Sequence, residues 1–255
     1  MNRIQSLFAA NRAAHKPTYV AYLTMGAPTL HDSFSAAETL LHEGADILEL
    51  GVPFSNPVLD GPIIRKASSL ALANGTTLAN ILVAIPALRA AHPSTPLVLF
   101  SYYSPIHKYG LEKFAATAAH AGIDAILVPD LPDEKRNELL HILRPHDLTL
   151  VPLITPTMDA SLIQKSAADI DDSFLYAMTM KGLTGQHLTP STELSSRLEA
   201  IKKLIPLPVV AGFGIRTPEE GARIATHCDG FVIGSALVKR FMNHTANPTA
   251  HSQYK

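Results

Sequence analysis

The chain has one cysteine, Cys228, among its 255 residues. An intramolecular disulfide is therefore excluded, and a reducing, cytoplasmic setting is expected. Net charge is equally scarce. The formal value is -1 at pH 7, which removes the electrostatic case for nucleic acid or an anionic membrane as partner. No apolar run approaches the ~20 residues of a membrane helix. Charge runs, low-complexity tracts and a secretory apolar region are also missing. The 12 histidines show no H-x-H or H-E-x-x-H spacing, so no metal site is expected. There is no G-x-S-x-G elbow and no Walker loop. Residues 1–31 carry no acidic side chain but include Arg3, Arg12 and Lys16, a pattern faintly like an organelle transit peptide. Against that reading, Ile4, Leu7 and Phe8 recur at helical spacing, and a strand pattern begins at Thr18. A short amphipathic N-terminal helix packed on the domain is the expectation.

What is present is a regular rhythm. Hydrophobic residues make up 47% of the chain, enough for one large α/β domain. Strands are predicted over 18–24, 45–50, 96–103, 125–130, 148–155, 174–180, 208–211 and 230–233. Helical patterns follow through Phe34–Leu41, Leu78–Ala91, Leu111–Ala121, Glu134–Leu143, Leu162–Ala168 and Leu194–Leu204. Another opens at Thr217-Pro218-Glu219-Glu220, an N-cap followed by Pro and Glu, and a last one spans Ala236–Met242. Strand and helix alternate eight times, with units of roughly 30 residues, as a (β/α)8 TIM barrel requires. An open doubly wound sheet is the rival, but no glycine-rich dinucleotide fingerprint follows the first strand. The reading is a single catalytic domain over 1–242 with an extra N-terminal helix, and a loose polar tail over 243–255.

Function in such a barrel collects at the C-terminal strand ends. The stretch from Ala45 to Pro62 delivers two acids there. Ile47 and Glu49 share one strand face and Leu48 and Leu50 the other. Glu49 is thus a carboxylic acid near the end of an apolar strand, while a Pro- and Gly-rich loop carries Asp60 back over the same rim. Two carboxyls in unlike surroundings supply an acid and a base at neutral pH. The same residues equally suit an ion-paired Glu49 and a turn-capping Asp60. Tyr22, Phe100, Leu127 and Pro129 fall at or near strand ends and make an apolar wall. Gly212-Phe213-Gly214 and Gly234-Ser235 follow the last two predicted strands, where backbone N–H groups and a helix start form the usual phosphate seat of this fold. Turn glycines alone are the plainer alternative. The loop Lys181-Gly182-Leu183-Thr184-Gly185-Gln186 reads as a lid, or simply as a connection, with Thr184 placed to hydrogen-bond Asp60 on closure. Cys228 precedes the last strand, at the bottom of the barrel, a poor place for a nucleophile.

Glu49-Leu50-Gly51-Val52-Pro53-Phe54-Ser55 followed by Asp60-Gly61-Pro62 resembles the signature of the tryptophan synthase alpha chain family. The resemblance extends over Ser6-Leu7-Phe8, Val128-Pro129-Asp130-Leu131-Pro132, Gly182-Leu183-Thr184-Gly185, Gly212-Phe213-Gly214-Ile215 and Gly234-Ser235-Ala236. It implies a retro-aldol lyase that cleaves indole-3-glycerol phosphate to indole and D-glyceraldehyde 3-phosphate in tryptophan biosynthesis. By the same resemblance Glu49 is the acid/base and Asp60 stays ionised against the indole N–H. Tyr22, Phe100, Leu127 and Tyr176 sandwich the ring. Gly185, Gly214, Gly234 and Ser235 hold the phosphate, and Thr184 lies in the lid. No metal or organic cofactor is implied in this chain. A partner beta chain carrying pyridoxal phosphate is implied, in an alpha2-beta2 heterotetramer. Three positions depart from the family pattern: Asn56 and Ala27 stand where acids are usual, and Met180 where a basic residue is. These departures motivate one alternative, a non-catalytic subunit that activates the beta chain. The others are a free-standing indole-releasing lyase or a different phosphate-binding barrel enzyme.

Overall fold

The computed structural model describes residues 1–179, 191–212 and 214–244. Nine strand segments form one all-parallel sheet in the order β5-β4-β3-β2-β1-β9-β8-β7-β6. They are β1 (Thr18–Thr24), β2 (Ile47–Gly51), β3 (Leu97–Phe100), β4 (Ala125–Leu127), β5 (Thr149–Leu150), β6 (Leu153–Ile154), β7 (Leu175–Met178), β8 (Val209–Gly212) and β9 (Gly230–Ile233). The two ends of that order, β5 and β6, are halves of the predicted fifth strand, interrupted at Val151-Pro152. Proline has no N–H to give a ladder. Val151 N–H still donates to Ile126 O, and Tyr176 N–H donates to Pro152 O, both at 2.9 Å. The fifth strand thus joins β4 to β7 and closes the ring, giving the expected eight-stranded barrel.

Alternation along each strand sorts the core into two shells. Val20, Tyr22, Ile47, Val98, Ala125, Leu127, Phe174, Tyr176, Val210 and Val232 pack together inside the ring. Leu23, Leu48, Leu50, Leu99, Ile126, Ala211 and Ile233 face the surrounding helices. The helix α1 (Arg3–Ala13) starts with a capping box between Asn2 and Gln5. It places Ile4 and Phe8 in the inner shell, with the Phe8 ring 5.7 Å from that of Phe174. The N-terminal helix is therefore the plug of the barrel floor.

Three aspartates brace the same floor. Asp46, Asp124 and Asp229 directly precede β2, β4 and β9, and each accepts a hydrogen bond from the neighbouring strand: Tyr19 N at 2.8 Å, Leu97 N at 2.8 Å and Val209 N at 2.8 Å. Each is also ion-paired, with Lys16, with Arg3 and Arg89, and with Lys202 respectively. Cys228 lies in this region, buried, its thiol donating to Gly230 O and pushed up to about 11 by burial.

The remaining helices are α2 (Leu30–His42), α3 (Pro62–Ala73), α4 (Leu78–Ala91), α5 (Tyr103–Tyr109), α6 (Leu111–Ala121), α7 (Asp133–Leu143), α8 (Ala160–Ala167), α9 (Thr192–Leu204), α10 (Pro218–Ile224) and α11 (Ser235–His244). Two of these, α3 and α5, are absent from the sequence reading. Among the described residues no single helix is long and apolar enough to cross a membrane. The predicted third strand ends early, at Phe100, because Tyr102 turns out of the sheet to cap α5. At the start of α10, Thr217 caps Glu220 N as predicted, while the Glu220 carboxylate accepts from Arg216 N–H at 2.8 Å. The last helix runs on to His244, beyond the expected boundary at 242.

Candidate active site

The C-terminal mouth of the barrel holds a cavity of about 400 Å³, within the range of small-ligand sites. Glu49 and Asp60 both line it. Glu49 points inward because strand parity puts it on the face of Ile47, with Tyr22 opposite it in register on β1 and Val98 on β3. It is 1% exposed, and its Oε1 has no hydrogen-bond partner among the described residues. Burial therefore falls on an uncompensated carboxyl and raises it from 4.5 to about 8. Among the described residues no cation pairs with Glu49, as the ion-paired alternative would need.

Asp60 arrives from the loop between β2 and α3. Val52 N–H bonds Phe100 O at 2.8 Å, which ties the loop's start to β3. Gly61 then caps α3 and Pro62 takes its first position, where a missing N–H is harmless. Asp60 is 5% exposed. Burial raises it from 3.8 to about 6, against the lowering effects of the Tyr102 hydroxyl and the Arg65 charge. The two carboxyls are thus pushed to different values within one cavity, Glu49 to about 8 and Asp60 to about 6.

Tyr22, Phe100 and Tyr176 wall the cavity as the sequence suggests. The Tyr22 and Phe100 rings meet edge to face, 5.4 Å between centroids. Two glycines make room for the tyrosines. A Cβ on Gly51 would lie 2.4 Å from the Tyr22 hydroxyl, and one on Gly212 would lie 2.1 Å from that of Tyr176. Leu127 shares the inward face, pairs with Phe100 in register and is fully buried in the inner shell. The strand β4 ends at Leu127, and Pro129 just beyond it lines the cavity.

On the far side, Gly214, Gly234 and Ser235 line the cavity together. Gly214 has φ +80°, a left-handed turn suited to glycine. Ser235 opens α11 directly after β9, so the first N–H groups of a 10-residue helix face the opening. Arg216 and Lys239 stand at this end as well. Thr184 and Gly185, with Met180 and the predicted lid, lie outside the described residues. Ala27 is buried in the inner shell, and Asn56 is exposed.

Sequence reasoning missed Leu59, Ile63, Ile64, Leu153, Met178 and Val232, which also line the cavity. The pair on α3 was readable from the Gly61-Pro62 start signal and the helical spacing of Ile64, Ala67 and Ala71. Tyr102 carries no such signal. Among the described residues no group of three or more His, Cys, Asp and Glu could hold a metal.

The class these features define is a (β/α)8 barrel enzyme: two desolvated carboxyls and an aromatic wall share one cavity at the C-terminal mouth with Gly214, Gly234 and Ser235. The tryptophan synthase alpha chain family model matches residues 8–254. The tryptophan synthase alpha chain of Geobacter sulfurreducens is 42% identical over 246 residues, covering 96% of this chain and 92% of that protein. Tryptophan synthase subunit alpha from Legionella pneumophila superposes with a TM-score of 0.89 at 31% identity, over 97% of this chain and 92% of that one. A chain of tryptophan synthase from M. tuberculosis, in its aminoacrylate-bound form, gives 0.85 at 29% identity, over 95% and 93%. This chain belongs to the tryptophan synthase alpha chain family, lyases of tryptophan biosynthesis.

Proposed function

We propose that the chain cleaves indole-3-glycerol phosphate to indole and D-glyceraldehyde 3-phosphate by a retro-aldol step. The observation that carries this is the pair of carboxyls held at different proton affinities, Glu49 near 8 and Asp60 near 6. At neutral pH Glu49 is protonated and Asp60 ionised, an acid and an anion in one pocket. Glu49 gives its proton to indole C3, and the ring becomes an iminium-like cation. Asp60 accepts the indole N–H and stabilises that charge. The bond between indole C3 and the adjacent glycerol carbon then breaks. Its electrons return to the ring, while the hydroxyl on that carbon loses its proton to Glu49 and becomes the aldehyde. Glu49 ends as it began, so the cycle needs no outside acid or base. Tyr22, Phe100 and Tyr176 flank the indole, Gly185, Gly214, Gly234 and Ser235 take the phosphate, and Thr184 hydrogen-bonds Asp60 on closure.

The reading extends to a beta chain that receives the indole, in an alpha2-beta2 assembly in the cytoplasm. That chain's pyridoxal phosphate takes no part in this cleavage, for which Glu49 supplies the proton transfers and Asp60 the charge stabilisation. The test is indole release from indole-3-glycerol phosphate by the purified chain, alone and with a beta chain. Release that rises on adding the beta chain is expected; no release under either condition removes the proposal.

A further inference from the structure

Asp60 sits on a loop, where a side chain is free to wander unless something fixes it. One buried tyrosine touches that loop at three points. Tyr102 is 2% exposed and stands just past β3, at the cap of α5. Its hydroxyl oxygen accepts the N–H of Leu59 at 3.1 Å. The same hydroxyl faces the Asp60 carboxyl and favours its charged form. Its ring stacks on Phe54, 4.9 Å between centroids and 28° between planes. From the other side, Arg65 Nε holds the Asp60 main-chain oxygen at 2.6 Å. The chain is thus held at Leu59 by Tyr102 and at the Asp60 carbonyl by Arg65, which fixes the backbone from which the Asp60 carboxyl projects.

Resting on the retro-aldol reading, we propose that Tyr102 is a positioning residue for the cleavage, holding the Asp60 loop so that its carboxylate meets the indole N–H. Tyr102 lies outside the cavity lining, so it acts through Asp60. The other titratable groups facing Asp60 are Tyr22 on β1, Glu49 on β2, Arg65 on α3 and Tyr176 on β7. Asp130 faces Tyr102 itself. Of these, Tyr102 and Arg65 favour the Asp60 anion.

The test is Tyr102→Phe in the full chain, which keeps the ring on Phe54 and removes only the hydroxyl. Tyr103→Phe is the control, because the adjacent Tyr103 hydroxyl is buried without a partner among the described residues. Two readouts are taken: the pH profile of kcat/KM for indole release, and infrared titration of the Asp60 carboxylate, assigned with Asp60→Asn. Losing one donor should move the Asp60 titration, and the acid limb of the profile, upward by roughly one pH unit. Activity should then fall several-fold at acid pH and much less at alkaline pH, with Tyr103→Phe unshifted. An unmoved carboxylate titration, or a loss equal at all pH values, overturns the inference. If the parent chain releases no indole, the retro-aldol reading fails instead, and the infrared titration still decides whether Tyr102 governs Asp60.

Discussion

Glu49 carries a cost that reveals its role. A carboxyl that is 1% exposed and has no ion pair among the described residues disfavours its own charged form. Its folded value near 8 lies above the ordinary 4.5. The folded chain therefore binds the proton more tightly than the unfolded chain, and stability falls as pH rises through that window. Asp60, raised from 3.8 to about 6, acts in the same direction over a lower range. Replacing Glu49 by Gln removes the larger contribution. The Glu49→Gln chain should melt at a higher temperature than the parent at alkaline pH, and the gap should close as pH falls below about 4.5. Thermal melts across pH check this; a parent curve parallel to that of the variant would contradict it. The same substitution should lower kcat by roughly 10²–10⁴ while leaving the fold intact.

The glycines beside the tyrosines act through shape at the same scale. Gly212→Ala places a methyl 2.1 Å from the Tyr176 hydroxyl, so Tyr176 must swing into the cavity. An overpacked wall of this kind costs about 1–3 kcal/mol. KM for the indole substrate should rise at least several-fold, while the affinity for inorganic phosphate at the far end changes little. Equal weakening of both would show that the damage is not local to the ring wall.

At the scale of elements, the barrel floor and mouth divide their work. The floor holds α1 and the three aspartates that cap neighbouring strands; the mouth holds the chemistry. Phe8→Ala would empty space against Phe174 and should lower stability by about 3–5 kcal/mol in denaturant unfolding. Asp124→Ala strands Arg89, whose side chain is 13% exposed, and should cost roughly 3 kcal/mol. Activity per folded molecule should survive both, since neither touches the cavity. Most elements were legible because each strand–helix unit announces itself by period and by a Gly or Pro break. The face of Glu49 followed from parity alone. What escaped was the insertion of helices between units. Because α3 follows a proline-rich loop, the loop signal overran its start at Gly61-Pro62. The short α5 is hidden because Tyr102 and Tyr103 are good strand residues that tertiary packing turned into a cap.

The whole molecule joins these scales in one direction of force. The ring closes through the broken fifth strand, and the closed ring excludes water from Glu49. Exclusion of water raises that carboxyl to about 8, and the loop brings a second carboxyl, kept lower by Tyr102 and Arg65, to the same space. The chain contains no tryptophan, so free indole can be followed by its own fluorescence against a low protein background. The most direct measurement is therefore indole release from indole-3-glycerol phosphate at neutral pH by the parent chain and by Glu49→Gln, each shown to be folded. The account predicts release by the parent and a loss of at least about 100-fold in the variant. A folded Glu49→Gln chain that releases indole within a few-fold of the parent would contradict it.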